Sequence, residues 1–317
     1  MATAKMPILQ EKLSTIILAA GVGKRMKSKT PKILHRILGR PIISFVLELA
    51  RGIGSAQTIL VVSDCSGDFF ESLGGSVCYA IQEEPLGTGD AAAKGLEKTE
   101  HDNVLILCGD VPLLQKRTIL DLIEYHNNQN ACVTVLTCQI KDPFGYGRII
   151  RDQDGHVKEI IEQTDANPEQ QRINEINAGV YYGKTKPIMS ALNEVTTDNK
   201  QGEYYLTDAI HSMVKTGKSV SGYMIDREEE ITGINTQEQL ARVRALVKSR
   251  WFDLLMRRGV CIEDPVTTNI DLSVKIGDGV QIRPYSLIEG NTTISDGDTI
   301  GPFVWIKDGK VVCSTNV

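Results

Sequence analysis

At 317 residues, 41% hydrophobic and 24% charged, the chain is long enough for about two domains. Its ordinary globular composition excludes a disordered, collagenous or disulfide-scaffold protein. Lys plus Arg number 35 against 40 Asp plus Glu, and the net charge of −5 offers no overall attraction to a nucleic-acid backbone or an anionic membrane, so any basic site must be local.

The amino-terminal MATAKMPILQEK lacks the apolar stretch of a signal peptide, and no later segment approaches the roughly 18 apolar residues of a membrane span. Seven cysteines without a Cys-x-x-Cys pair read as reduced thiols in a cytoplasmic protein. From Thr15 to about Tyr182, β-rich runs alternate with helical ones: STIILAAG, PIISFVLELARGIG, TILVVSD, NVLILCGD, TILDLIEYHNNQ and CVTVLTCQI. Such alternation predicts an α/β domain of βαβ units around a mostly parallel, Rossmann-like sheet. Val104 to Leu107 and Cys132 to Cys138 are apolar almost throughout, as expected of strands covered on both faces. A hairpin is predicted from Arg148 to Arg151 and Val157 to Ile161, then a strand through Ala178 to Tyr182, then helices near Pro187 to Asn193 and Tyr205 to Lys215. From Thr236 to Arg258 no breaker interrupts a helical pattern, which predicts one long connecting helix ending before Gly259.

The period then changes. Ile270, Ile276, Ile282, Ile288, Ile294, Ile300 and Ile306 keep an interval of six, and mostly small or β-branched residues (Val274, Val280, Ser286, Thr292, Val304) stand four positions after an Ile. This pattern predicts a parallel β-helix whose isoleucines point into a triangular core, three hexads to a coil. Little more than two coils cannot bury such a core alone. The stub is expected to lean on the preceding domain or on neighbouring subunits, and to expose open β-edges at its far end. The organisation read from sequence is a Rossmann-like α/β domain at 14–235, a connecting helix at 236–258 and a β-helix at 259–317.

The loops carry the chemistry. Gly21-Val22-Gly23-Lys24-Arg25-Met26 follows a buried strand, and its backbone N–H groups suit phosphates. It is neither a Walker A loop nor a dinucleotide fingerprint, because no Gly-Lys-Ser/Thr closes it and Met26 occupies the third glycine position. Lys32 adds a further cation, and the group suggests a polyanionic substrate, with a solvated basic loop as the alternative. In Gln82-Glu83-Glu84-Pro85-Leu86-Gly87-Thr88-Gly89 the Gln82 amide and the glycines suit the edge of a nucleobase, while Thr88 or Asp90 could cap the following helix. Asp110 ends a hydrophobic strand as a Mg²⁺ ligand or a helix cap. Asn235 is a second oxygen donor or the cap of the long helix. His156 and His211 are most simply solvated or packed.

In order, LAAGVGKRM, TPKILHRILGRPI, QEEPLGTG, CGDVPLL, DPFGYGRI, EINAGVY, QGEYYLTDAI and GIN resemble the pyrophosphorylase half of the bifunctional N-acetylglucosamine-1-phosphate uridyltransferase family. The repeat resembles that family's left-handed β-helix. The resemblance implies UMP transfer from UTP to N-acetylglucosamine-1-phosphate, with Mg²⁺ held by Asp110 and Asn235. It implies that Leu18, Ala19, Ala20 and Gly21 meet UTP through their backbone and that Gln82, Gly87 and Thr88 hold uracil. Gly147, Glu162 and Asn177 would hold sugar and ribose, Tyr205 and Thr207 would lie near the acetamido group, and Arg25 and Lys32 would neutralise phosphates. Asp90 departs from the His usual at its place. The family's acetyl transfer uses a longer β-helix and a histidine base. Here all five histidines (His35, His101, His126, His156 and His211) precede the repeat, so the expectation is uridylyl transfer without acetyl transfer, in a homotrimer joined from about Asp264 onward. The alternatives are uridylyl transfer to another sugar-1-phosphate such as glucose-1-phosphate, against which Glu203, Tyr205 and Thr207 argue, or a non-catalytic nucleotide-binding regulator.

Overall fold

Runs of β-branched and aliphatic residues in the first two-thirds of the chain form strands buried on both faces. The computed structural model describes residues 12–64 and 68–314; the amino-terminal segment up to residue 11, Cys65 and the last three residues of the expected β-helix at 259–317 lie outside the described residues. The chain divides into two units, one running to Val22 and from Phe45 to Gly233, the other comprising Gly23–Ser44 and the chain from Ile234 onward.

The first unit holds a nine-stranded sheet. Its strands are β1 (Leu13–Leu18), β2 (Gln57–Val62), β3 (Cys78–Ile81), β4 (Asn103–Cys108), β5 (Val133–Gln139), β6 (Arg148–Arg151), β7 (Val157–Ile161), β8 (Glu175–Lys184) and β9 (Val220–Ile225). The order along the sheet is β9-β5-β8-β4-β1-β2-β3, with the β6/β7 hairpin attached to β8. Pairs β1/β2, β1/β4, β2/β3 and β5/β9 are parallel. Ile16, Ile59, Val104 and Ile106 are fully buried under helices α1 (Thr88–Leu96), α2 (Thr185–Leu192) and α3 (Leu206–Lys215), through Ala92, Ile188, Ala209 and Ile210. Two features differ from the sequence reading. Strand β8 is longer than Ala178 to Tyr182 and runs antiparallel to β4 and β5, because the β6/β7 hairpin feeds it without a crossover helix. Strand β9 has no counterpart in the sequence reading, because the glycine within VSGYMI weakens its strand signal.

The second unit is built on helix α4 (Gln237–Arg257). Its N-cap is Thr236, in a capping box with Gln239; Asn235 does not cap it, and its backbone N–H donates to Gln239 Oε1 at 2.7 Å. Segment 23–44 belongs to this unit: Gln237 Nε2 donates to the Met26 carbonyl (3.2 Å), Arg244 Nε to that of Arg36 (2.9 Å) and Leu272 N to that of Leu38 (3.1 Å).

Short strands at Asn269–Ile270, Lys275–Ile276, Gln281–Ile282, Ser286–Glu289, Thr293–Ile294, Thr299–Ile300 and Val304–Lys307 follow. Strands one coil apart pair in parallel, Asn269 opposite Leu287 and Lys275 opposite Thr293, as a parallel β-helix requires. An earlier strand, Cys261–Ile262, opens the first coil ahead of the regular hexads. Phe252 and Leu255 of α4 pack into the same core as Ile262, Ile270, Ile276 and Ile282, so the helix closes one end of a core that could not close itself. At the other end Lys310–Ser314 turns back antiparallel onto Val304–Lys307. The hexad rhythm therefore stops at Ile306, and on this face the edge of the Val304–Lys307 strand is paired rather than open.

Leu255 is fully buried, so Leu255→Ala should cost about 2–5 kcal/mol through lost burial and the cavity it leaves. Thermal or denaturant unfolding checks this; an unchanged midpoint would mean that the β-helix core does not depend on the helix. Among the described residues, no helix is long and apolar enough to cross a membrane.

Candidate active site

Three strands of the first unit deliver loops to one edge of the sheet. Strand β1 ends at Leu18, opposite Val61 and Cys108. Beyond it Ala19 N donates to the Val61 carbonyl and Gly109 N to that of Leu18, both at 2.8 Å. The backbone from Leu18 to Gly21, Gln82 after β3 and Asp110 after β4 therefore all lie at the carboxyl edge, where ligands of such sheets bind. Ala20 is buried, and the space that a side chain at Gly21 would fill is open, which suits close approach of a ligand to the main chain. Asp110 caps no helix: the next helix, Lys116–Gln129, has Gln115 at its N-cap.

The Gln82–Gly89 loop and the Glu203–Thr207 segment are laced together. Tyr204 N donates to the Leu86 carbonyl (2.8 Å), Gly89 N to that of Tyr204 (2.7 Å), and Leu206 N to the Thr88 hydroxyl (3.1 Å). Thr88 thus serves the first turn of α3 rather than its own helix, α1, whose N-cap is Gly87 with no side-chain cap. Gly87 has φ 114, and a Cβ there would overlap the Tyr204 carbonyl. Gly87→Ala is accordingly expected to cost about 2 kcal/mol or more and to part the two loops. Lowered melting temperature together with weakened nucleotide binding would bear this out; wild-type values of both would refute it.

A second cluster sits beside these loops. Glu162 Oε1 accepts from the Thr207 hydroxyl at 3.0 Å, and a side chain at Gly147 would meet Ile160, Glu162 and Asn177. Asn177 Nδ2 donates to the Tyr181 hydroxyl at 2.6 Å, while its Oδ1 accepts from Gly179 N at 2.9 Å. These bonds exploit the irregularity in β8 between Asn177 and Tyr181. Burial raises the Glu162 carboxyl above the usual carboxylate range, with the Thr207 hydrogen bond acting the other way. The phenol of Tyr205, at the N-cap of α3, is pushed up to about 12, chiefly by burial. Tyr205 is therefore a neutral donor at physiological pH. Gly147, Glu162, Asn177 and Thr207 are thus brought together, with Tyr205 two residues before Thr207.

The remaining expected site residues belong to the second unit. Gly23 and Lys27 adopt left-handed φ values of 65 and 48 on either side of a single turn, Lys24–Met26. Buried Met26 anchors that turn and leaves Arg25 exposed. Lys32 Nζ donates to Asn235 Oδ1 at 3.1 Å.

Residues 15–172 match the MobA-like NTP transferase domain family. The bifunctional protein GlmU of Caldanaerobacter subterraneus is 42% identical over 97% of this chain, which spans 67% of that relative. The chain belongs to the GlmU family. The bifunctional protein GlmU of Syntrophomonas wolfei is 40% identical over 95% of the chain and 67% of its own length. A UDP-glucose pyrophosphorylase solved with UDP-glucose shares the fold, with a TM-score of 0.61 at 18% identity over 75% of this chain and 99% of that one. As a GlmU-family protein the chain is a nucleotidyltransferase.

Sequence reasoning passed over a residue that shapes this GlmU-family site. Arg148 is 1% exposed; it donates to the Tyr146 carbonyl, to Gln163 Oε1 at 2.7 Å and to the Gln171 carbonyl at 3.5 Å. Burial lowers its pKa, and nearby Asp142 and Glu162 oppose that shift. The guanidinium ties the segments that present Gly147 and Glu162. The signal was an arginine opening the apolar run Ile149-Ile150, where a charge calls for internal partners.

Proposed function

We propose that this GlmU-family uridyltransferase transfers the UMP group of UTP to N-acetylglucosamine-1-phosphate, releasing pyrophosphate. The observation that carries the reading is the lacing of the Gln82–Gly89 loop to the Glu203–Thr207 segment, which sets a base-reading loop beside a polar cluster suited to a sugar. An N-acetyl group offers a carbonyl acceptor and an N–H donor; the buried Tyr205 phenol and the Thr207–Glu162 pair match it as donor and acceptor. In the reaction an oxygen of the sugar phosphate forms a bond to the α-phosphorus of UTP while the bond to the bridging oxygen of pyrophosphate breaks on the opposite side. Such transfers depend on alignment and on neutralising charge in the transition state, with no protein nucleophile. Arg25 and Lys32 supply positive charge, the backbone from Leu18 to Gly21 supplies N–H donors, and Gln82, Gly87 and Thr88 hold the base. Gly147, Glu162 and Asn177 hold sugar and ribose.

Nucleotidyltransferases of this kind generally use a divalent metal, and the proposal here is Mg²⁺. The carboxylate of Asp110 and the carboxamide oxygen of Asn235 are hard oxygen donors that fit it. In this structure Asn235 Oδ1 accepts from Lys32 Nζ at 3.1 Å. When bound, the ion offsets phosphate charge.

The proposed organisation is transfer by 14–235, connection by 236–258 and assembly through 259–317, in a cytoplasmic homotrimer. Pyrophosphate release from UTP across a panel of sugar-1-phosphates tests the activity: release greatest with N-acetylglucosamine-1-phosphate is expected. Equal or faster release with glucose-1-phosphate, or no release with any sugar, would refute it.

A further inference from the structure

Gln82 is 5% exposed, and its backbone N–H donates to the Val62 carbonyl at 2.9 Å, which holds its main chain as a continuation of β3. Its side-chain Nε2 stands in a fork, 2.8 Å from Asp90 Oδ2 and 3.0 Å from the Gly87 carbonyl. A carboxylate and a peptide carbonyl are acceptors only, so the atom between them must be the NH₂ end of the amide, whichever way the group is first assigned. Both amide hydrogens are engaged there. Among the described residues no donor reaches Oε1, so toward a ligand Gln82 acts solely as an acceptor.

We propose that Asp90 is a positioning residue that locks the Gln82 amide with its carbonyl outward, so that the site selects a base carrying an N3–H, such as uracil, over cytosine. The inference rests on the base-reading role proposed for Gln82. Uracil presents a hydrogen at N3, whereas cytosine presents a lone pair at the same ring atom. An acceptor fixed in place pairs with the first and repels the second, and sites built on such fixed groups discriminate strongly because the mismatched ligand leaves buried polar atoms unpaired. The Gly87 carbonyl is the weaker arm of the lock, because it is uncharged, engages one of the two hydrogens and is shared with Ala91 N of α1 at 3.2 Å. The carboxylate supplies a charge-assisted bond, the stronger arm of the fork. In the bland alternative Asp90, in the first turn of α1, merely favours the helix N-terminus electrostatically. That role would be lost equally in Asp90→Asn and Asp90→Ala, with no effect on which base is bound.

Calorimetric binding of UTP and CTP to the full chain reads the proposal without requiring turnover. The wild-type protein should bind UTP at least about tenfold more tightly than CTP, since one good base contact discriminates by roughly that much or more. Asp90→Ala should lower the UTP:CTP affinity ratio about tenfold, mainly by weakening UTP, and the same loss should appear in KM for UTP rather than in kcat. Asp90→Asn retains an acceptor oxygen and should keep the ratio within about threefold of wild type. A wild-type protein without preference for UTP, or a folded Asp90→Ala protein with the wild-type ratio, would overturn the proposal. Normal UTP selectivity without pyrophosphate release would count against the proposed function alone.

Discussion

Arg25→Ala is expected to lower kcat by roughly a hundredfold or more, with a smaller effect on UTP binding. Removing a contact to charge that develops in the transition state costs about 3 kcal/mol, which is that fold-change. The structural argument concerns what the side chain does not do. Arg25 is exposed on a turn whose shape is set by left-handed Gly23 and Lys27 and whose anchor is buried Met26. Truncating it removes no core contact, so the melting temperature should stay near wild type, as for most exposed substitutions. Steady-state rates at saturating UTP check the expectation. Turnover within a few-fold of wild type would reduce Arg25 to a surface cation.

Asp110→Asn should leave the fold intact and abolish Mg²⁺-dependent turnover. The substitution keeps the size and one oxygen but removes the negative charge, and a neutral amide is a poor partner for a hard divalent cation. Asp110 follows the most hydrophobic strand of the chain, β4, just beyond Cys108 and Gly109, and Gly109 N is bonded to the Leu18 carbonyl, so its backbone position is set by the sheet and not by the ion. A Mg²⁺ titration of the rate, together with Mn²⁺ binding followed by electron paramagnetic resonance, separates loss of metal from loss of catalysis. An unchanged titration and an unchanged Mn²⁺ affinity would show that the metal is held elsewhere.

Most elements of the sheet, the long helix and the six-residue interval of the isoleucines were legible in the chain itself. Each rests on local periodicity: consecutive apolar residues where both faces are covered, spacing of three and four on a helix, one inward isoleucine per short strand. The motif loops were legible for a similar reason, because glycine turns after strands and cations beside them are contiguous in sequence. The antiparallel course of β8 was not, since strand direction depends on what connects the strands and periodicity is blind to it. Nor was the true N-cap of α4. Asn235 and Thr236 are both good caps by residue type, and the choice fell to Thr236 because Gln239 completes its capping box.

Within the site, residue types disclosed candidate groups but not their partners. Thr88 bonds to Leu206 N across 118 residues, Lys32 to Asn235 across 203, and Glu162 to Thr207 across 45. Gln82 is the clearest case: its sequence offers an amide able to donate and to accept, and only the folded loop, which brings Asp90 and the Gly87 carbonyl to its nitrogen, leaves it an acceptor. Local interactions therefore determine which segments become strands, helices and turns. Which hydrogen-bonding face a polar side chain turns to a ligand is decided by the groups the folded chain brings to it, near in sequence for Gln82 and distant for Thr88, because burial forces it to satisfy them; that arrangement exists only in the tertiary structure.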